Sequence, residues 1–321
     1  MGNKGLVVDS EVIRGVGVLS LTLLIVALIP FVGPAVIIMT PLPIIYYRSR
    51  LGRMRGAAAL AAALLAVSGI LVLLGHRANI SVLLMIAATG VLLSEVLQKR
   101  YSIEKTFILA SLALFFCGVG FMCYAAFLHG VAPWRMVEVT IAGIIEENLK
   151  LYEQVNISED QIAMIRENAS QIVGFFTGIF PSLALSGSVL TVWLNILAGR
   201  SLLRKNPEPF PVFGDLSRWK APEKLVWLLI LSGVMTLAPV DILDIVGMNL
   251  LIICCLVYFF QGLAITAFFF RQKKVPRPVR WLFYLLIAVQ QYMVILVIAF
   301  GLFDLWIDFR KRIAGIKDVP A

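Results

Sequence analysis

The stretch ILASLALFFCGVGFMCYAAFL, from Ile108 to Leu128, carries no charged residue, and neither does LFYLLIAVQQYMVILVIAFGLF, from Leu282 to Phe303. About 20 apolar residues in a helix, at 1.5 Å per residue, cross a hydrocarbon layer ~30 Å thick. A helix is also the form in which every backbone amide of such a stretch finds a partner without water. The rest of the chain agrees. Hydrophobic residues make up 60% of it and charged ones 15%, with a mean hydropathy of +0.93, against about 45–50% and 25% for soluble domains. A water-soluble core cannot absorb that excess, so the bilayer is the expected solvent.

Working outward, further candidate spans fall at 14–30, 32–47, 56–74, 80–97, 170–197, 225–239 and 246–270. The expected fold is therefore all-α: a polytopic transmembrane bundle of about eight or nine spans. About five spans lie within 1–128 and four within 170–321, the latter with a cytoplasmic loop at 200–224, in one integrated domain. The first two spans share a joint containing Pro30, Gly33 and Pro34 and are expected to form a tight hairpin or a span plus a re-entrant piece. The short head, Met1 to Arg14, leads into an apolar run without a clean small-residue cleavage site, so it reads as a retained anchor.

The net charge of +9 does not imply nucleic acid. The cations collect in short connections: Arg48, Arg50, Arg53 and Arg55; then Arg200, Arg204, Lys205, Arg218, Lys220 and Lys224; then Arg271, Lys273, Lys274, Arg277 and Arg280. That is the positive-inside pattern. It places these loops and the N-terminus in the cytoplasm of a bacterial inner membrane. Nine crossings from that start would leave Arg310, Lys311 and Arg312 outside, against the rule. Either the count is off by one or the tail is an exception, and the short segments 32–47 and 225–239 are the ones in question.

Residues 129–169 form an insert with an acidic excess, read as extracytoplasmic. Val137, Ile141, Ile144, Ile145, Leu149 and Tyr152 recur at helical spacing opposite Glu146, Glu147 and Lys150, which predicts an amphipathic helix resting at the interface. Ser158 followed by Gln161 reads as a capping box that starts a second helix. Asn156-Ile157-Ser158 fits a glycosylation sequon, which carries no weight in a bacterial protein.

Several groups are candidates for function. The run Ala57, Ala58, Ala59, Ala61, Ala62 and Ala63 gives one helix a nearly flat face, suited to close packing within the chain or to docking a second membrane subunit. Asn195, Asn249, Gln261 and Gln290 are polar groups inside spans; with Asp241 and Asp244 at a membrane edge they are the candidates to line a cavity for a small molecule. Each amide needs a partner that lipid cannot supply, and interhelical hydrogen bonds serve as well as a ligand does. Gln290 and Gln291 are adjacent and cannot share a helix face. Pro181 removes a backbone donor inside its span and is expected to kink it. Glu95 reaches the interface beside Lys99 and Arg100 with no role of its own. His76 and His129 are isolated and Cys117, Cys123, Cys254 and Cys255 lie in apolar runs, so neither a metal site nor a disulfide framework is expected. No phosphate loop, GxSxG elbow, HExxH helix or kinase signature occurs. No catalytic residue and no cofactor are expected.

Three stretches carry a resemblance: Phe180-Pro181-Ser182 leading to Trp193-Leu194-Asn195 and the Arg200 to Arg204 end; Phe213-Gly214-Asp215-Leu216-Ser217-Arg218-Trp219-Lys220-Ala221-Pro222-Glu223-Lys224-Leu225-Val226-Trp227; and Gly301-Leu302-Phe303-Asp304-Leu305-Trp306-Ile307-Asp308-Phe309-Arg310. Together they resemble the YybS-like family of bacterial membrane proteins of unknown function. That family is distantly similar to the substrate-binding S components of energy-coupling-factor transporters, in which a small-residue helix face contacts the coupling subunit. The resemblance implies that role for Ala57 to Ala63. Those components have about six spans, carry the alanine pattern in their first helix and lack a long acidic insert. In the second stretch and the proline-rich link before it, prolines extend the chain while Trp219 and Trp227 favour the interface, which predicts a docked surface loop. The function expected is a substrate-binding or permease-type component of a small-molecule transport system, or else a non-transporting scaffold or assembly factor of the cell envelope.

Overall fold

The computed structural model describes residues 4–29, 37–76, 79–99, 101–154, 158–202 and 215–314. The joint at Pro30, Gly33 and Pro34, the sequon's Asn156, the cations Arg100, Arg204 and Lys205, and the link Pro207 to Pro211 lie outside the described residues. All regular elements among the described residues are helical: α1 (Lys4–Leu28), α2 (Pro41–Leu51), α3 (Arg53–Leu73), α4 (Asn79–Gln98), α5 (Ile103–Leu128), α6 (Pro133–Gln154), α7 (Glu159–Glu167), α8 (Ala169–Leu202), a 3-10 turn (Leu216–Arg218), α9 (Leu225–Thr236), α10 (Asp241–Gln272), α11 (Arg277–Val289), α12 (Gln291–Ile307) and α13 (Phe309–Ala314).

Six of these, α1 from Ser10 onward, α3, α4, α5, α8 and α10, are long and apolar enough to cross a membrane, and the bent pair α11 and α12 makes a seventh if counted as one span. The count of eight or nine is thus too high. The shortfall lies in the two short segments: α2 has 11 residues and α9 has 12, about 17 Å each at 1.5 Å per residue. A second correction concerns the apolar run Leu282 to Phe303. It is not one straight span but breaks at Gln290, where the chain turns through 106°. No proline or glycine marks the break, and hydropathy alone cannot register it.

One compact unit comprises Met1–Ala169 and Gly187–Val212. Its core joins Leu19 and Leu23 of α1, Ile44 of α2, Ala59, Ala63 and Val67 of α3, and Leu83 and Ile86 of α4, each at most 3% exposed. Helix α2 is seated between two glycines. A Cβ at Gly56 would stand 2.7 Å from the Arg48 Cα, and one at Gly90 would stand 2.5 Å from Ile44. Glu11 pairs with Arg50, Arg48 and Arg53 pair with Glu95, and Arg53 donates to Gln98 at 3.0 Å. These contacts gather the start of α1, the end of α2, the start of α3 and the end of α4 at one end of the unit. The start of α1 thus lies beside the end of α2, an arrangement that a hairpin and a re-entrant piece share.

In the insert, α6 buries Val137 and Leu149 and leaves Ile144 and Tyr152 exposed, so its apolar stripe is only half covered. Ser158 occupies the N-cap of α7, but its side chain makes no capping bond there. The capping box is therefore not formed; the Ser158 carbonyl takes the Gln161 and Ile162 amides instead.

The second unit comprises Ser170–Ser186 and Phe213–Ala321. Helices α9 and α10 form a tight hairpin, since a Cβ at Gly247 would lie 2.7 Å from the Thr236 nitrogen. Helices α10 and α12 cross with backbones in direct contact at Gly262 and Gly301. The start of α11 is tied to the end of α10: Arg280 donates from Nε to the Val275 carbonyl at 2.8 Å and from Nη2 to that of Phe270 at 3.1 Å, and the Phe270 ring meets Phe283 edge-on. Both arms of the α11–α12 bend are thereby anchored on the second half of α10, with Gln290 at the apex.

Candidate functional site

The second and third of the resembling stretches meet in the second unit. Asp215 caps the 3-10 turn, its Oδ1 accepting from the Ser217 nitrogen at 3.2 Å and from the Ser217 hydroxyl at 2.8 Å. This is the local self-bonding that makes aspartate a turn former. The turn presents the carbonyls of Ser217 and Trp219 to Arg310, which donates to them at 3.2 and 2.7 Å from Nε and Nη2. Its third nitrogen, Nη1, lies 2.8 Å from Asp304 Oδ2. The Asp304 side chain is 0% exposed and that of Arg310 is 9% exposed.

Both oxygens of the carboxylate are engaged. Asp304 Oδ2 also accepts from Gln261 Nε2 at 3.0 Å, and Oδ1 accepts from the Phe309 nitrogen at 2.9 Å. Gln261 turns its other end to the Ala221 nitrogen at 3.1 Å. A buried ion pair is tolerated when its remaining donors and acceptors are satisfied in this way. The guanidinium suits the task because three nitrogens point in three directions at once, which an ammonium cannot imitate. Burial lowers the Arg310 pKa from its ordinary value, while the charges of Asp304 and Asp308 resist that shift.

Around this core lies an outer ring of pairs. Asp215 meets Arg271, and Arg218 stands 3.6 Å away; Asp308 takes Lys220 at 3.4 Å and Lys311 at 3.5 Å. Asp308 sits in the left-handed region at φ 44°, which ends α12 and turns the chain toward Arg310. Burial pushes the carboxyls of Asp215 and Asp308 up, but their partners outweigh it: the Arg271 guanidinium and the Ser217 hydroxyl and amide donors for the first, Lys220 and Lys311 for the second. Both end below the usual carboxylate value. A carboxyl depressed on folding stabilises the fold fully above its ordinary pKa near ~4 and loses that contribution as the pH falls through the folded value. The docked 215–221 segment is therefore expected to hold down to about pH 4 and to loosen below it. The emission of Trp219, isolated by difference against a Trp219→Phe variant, should shift only in that acid range; a transition at neutral pH would contradict it.

A second cluster uses Asn249. Pro181 lies inside α8 and has no amide hydrogen to give. One turn of backbone beside it is bridged by another helix: Asn249 Nδ2 donates to the Gly178 carbonyl at 2.8 Å, and Asn249 Oδ1 accepts from the Ser182 nitrogen at 3.0 Å. Its second amide hydrogen goes to Ile245 at 2.8 Å. The Asn249→Leu change leaves a backbone donor and acceptor unpaired and is expected to cost about 1–3 kcal/mol. Unfolding in mixed micelles would read it, and an unchanged midpoint would show that the bridge contributes nothing.

The candidates from sequence are thus placed differently from one another. Asn249 and Gln261 lie 12 positions apart on α10, roughly 18 Å along its axis, each with its amide engaged by the protein. Asp241 and Asp244 are exposed in the first turn of the same helix, where carboxylates favour the helix dipole. Gln290 is exposed at the apex of the bend. Asn195 belongs to the other unit, is 0% exposed, and donates to the Ile38 and Thr191 carbonyls at 2.7 Å each. Along α3, Ala59 and Ala63 are buried in the unit core, Ala57 is half-buried, and Ala58, Ala61 and Ala62 are exposed. Sequence reading missed Arg48, Glu95, Asp304 and Arg310. The signal lay in each being a charge inside or beside an apolar run, which costs too much without a partner.

Among the described residues no group of three or more His, Cys, Asp or Glu could hold a metal ion. No solved structure matches the chain. It is 21% identical over 309 residues to the uncharacterized protein YybS of Bacillus subtilis (strain 168), covering 90% of this chain and 93% of that one. The family model described as "Predicted membrane protein (DUF2232)" matches residues 17–305, so the chain belongs to the DUF2232 family of predicted membrane proteins.

Proposed function

We propose that this multi-pass membrane protein is the substrate-binding or permease-type component of a small-molecule transport system, set in the cytoplasmic membrane of a bacterium. The observation that carries the reading is the broken α11–α12 segment. Its apex holds Gln290 and Gln291, both exposed and with no side-chain hydrogen bond among the described residues. Irregular backbone and free amides persist at membrane depth only where they line an aqueous cavity or are covered by protein. Broken helices of this kind supply the substrate sites of many transporters.

The topology supports it. If the basic ends face the cytoplasm, the six long helices carry the chain across, the segments holding α2 and α9 return it without being full spans of their own, and α10 ends inside. The α11–α12 hairpin then re-enters and returns, leaving Arg310, Lys311 and Arg312 inside as well. The N-terminus is cytoplasmic, the 129–169 insert is external, and the charge conflict of a nine-span count disappears. The purified protein should carry or bind one small molecule, and Gln290→Ala with Gln291→Ala should weaken it by about tenfold or more, as expected when polar ligand contacts are lost. Native mass spectrometry across a metabolite panel that detects no ligand would count against the reading.

A second reading, a membrane scaffold or assembly factor, draws on a separate observation. The amides of Asn249 and Gln261 are engaged inside the protein, while Ala58, Ala61 and Ala62 remain open to a neighbouring helix. Crosslinking separates the two: recovery of an ATPase with its coupling subunit favours transport, and envelope proteins alone favour the scaffold.

A further inference from the structure

The cations at the basic end of the second unit differ in how they are matched. Arg218, Lys220, Arg271, Arg310 and Lys311 are all matched by Asp215, Asp304 or Asp308. Lys273, Lys274 and Arg277 are not. They fall within five consecutive positions between α10 and α11, all three are exposed, and none has an ion-pair or hydrogen-bond partner among the described residues for its side chain. Lys274 adopts the left-handed conformation at φ 49°, so the chain turns tightly there between α10 and α11. No acidic residue occurs between Gln272 and Gln290 to neutralise them.

The next turns of α11 add a second chemistry. Trp281, Leu282, Leu285 and Val289 are 76%, 57%, 59% and 74% exposed. At 100° per residue they share one side of the helix, while Ile287 and the Arg280 guanidinium are turned toward the protein. A three-cation cluster thus gives directly onto an apolar strip with an indole near its head. That order, charge first and then grease, matches the headgroup and acyl chain of a phospholipid. It does not match a soluble anion, which has no use for the strip.

We infer that Lys273, Lys274 and Arg277, with the Trp281 to Val289 face of α11, bind an anionic phospholipid: the cations hold its phosphate and the strip lies along one acyl chain. Clusters of lysine and arginine beside a membrane helix attract anionic lipid, each contributing roughly fivefold in affinity. A bound lipid would fix the start of the re-entrant hairpin, so the inference adds to the transport reading without requiring it.

The test uses the full chain in detergent. Phosphatidylglycerol, phosphatidylcholine or inorganic phosphate is added, and bound lipid is counted by native mass spectrometry beside the thermal midpoint. The expected result is retention of phosphatidylglycerol and a rise in midpoint, with the triple variant Lys273→Gln, Lys274→Gln, Arg277→Gln weaker by about 100-fold. Equal retention of the two lipids, or a triple variant that keeps the preference, overturns the inference. An equal rise with phosphate alone overturns the lipid as occupant. Should the triple variant fold poorly, Trp281→Ser with Leu285→Ser provides the second arm: it should reduce lipid retention while leaving any phosphate effect unchanged, and undiminished retention overturns the proposal.

Discussion

Replacing Arg310 with methionine is expected to destabilise the second unit by about 3–5 kcal/mol, the usual consequence of leaving a buried charge unpaired. The reason lies less in the attraction lost than in what remains. Asp304 is 0% exposed at its side chain, and without the guanidinium its carboxylate keeps only Gln261 and the Phe309 amide. The carbonyls of Ser217 and Trp219 lose their donors in the same step. Lysine should rescue little, because one ammonium cannot reach three acceptors set in three directions. The informative control is the double change Asp304→Leu with Arg310→Met. It removes both charges and should recover a large part of the loss, since well-packed apolar pairs often equal or exceed buried ion pairs. Folding free energies in mixed micelles would give the coupling between the positions. Additive single costs would show that the two residues do not act as a pair.

The class of fold is readable in the sequence and the site mostly is not, for one physical reason. A span must be apolar along its whole length, so Ile103–Leu128 or Asp241–Gln272 stands out in any window. A polar site is a matter of which few groups meet. Asp304 and Arg310 are six positions apart and look like an ordinary helix end; their partners at 217 and 219 lie more than 80 positions away. The second and third resembling stretches contain Asp215 and Asp304, and in the structure they are joined by an interlock of turn, glutamine and guanidinium. The amides illustrate the opposite limit. Nothing in the residues themselves tells that Asn249 bridges a proline-disturbed turn while Gln290, beside Gln291, stands open at a bend, since all three are uncharged amides in apolar runs. The alanine run was legible as a flat face, but which side of it meets the same chain depends on where α1 lies, and that places Ala59 and Ala63 inside and Ala58 and Ala62 outside.

The largest effect expected from a single apolar substitution falls at the crossing of α10 and α12. A Cβ on Gly301 would stand 1.9 Å from the Tyr258 carbonyl oxygen, and one on Gly262 would stand 2.0 Å from that of Val297. These obstacles are backbone, held in place by the helices' own hydrogen bonds, so no rotamer change relieves the overlap. The helices would have to separate by more than an ångström, and the nearby Gln261 to Asp304 bond at 3.0 Å could not follow. Overpacking in a core costs about 1–3 kcal/mol where side chains can yield; here the upper end or beyond is expected, even for Gly301→Ala. Gly301→Val should prevent stable accumulation of the protein in the membrane. Close contact between small residues is also what holds helices together where lipid competes for every apolar face, so the loss of that contact adds to the strain. The comparison that makes the claim specific is Gly187→Ala in α8, where an added Cβ meets nothing within 4 Å. That change should leave expression and melting in detergent close to the parent. If Gly301→Ala behaves as mildly as Gly187→Ala, the two helices do not cross with their backbones touching.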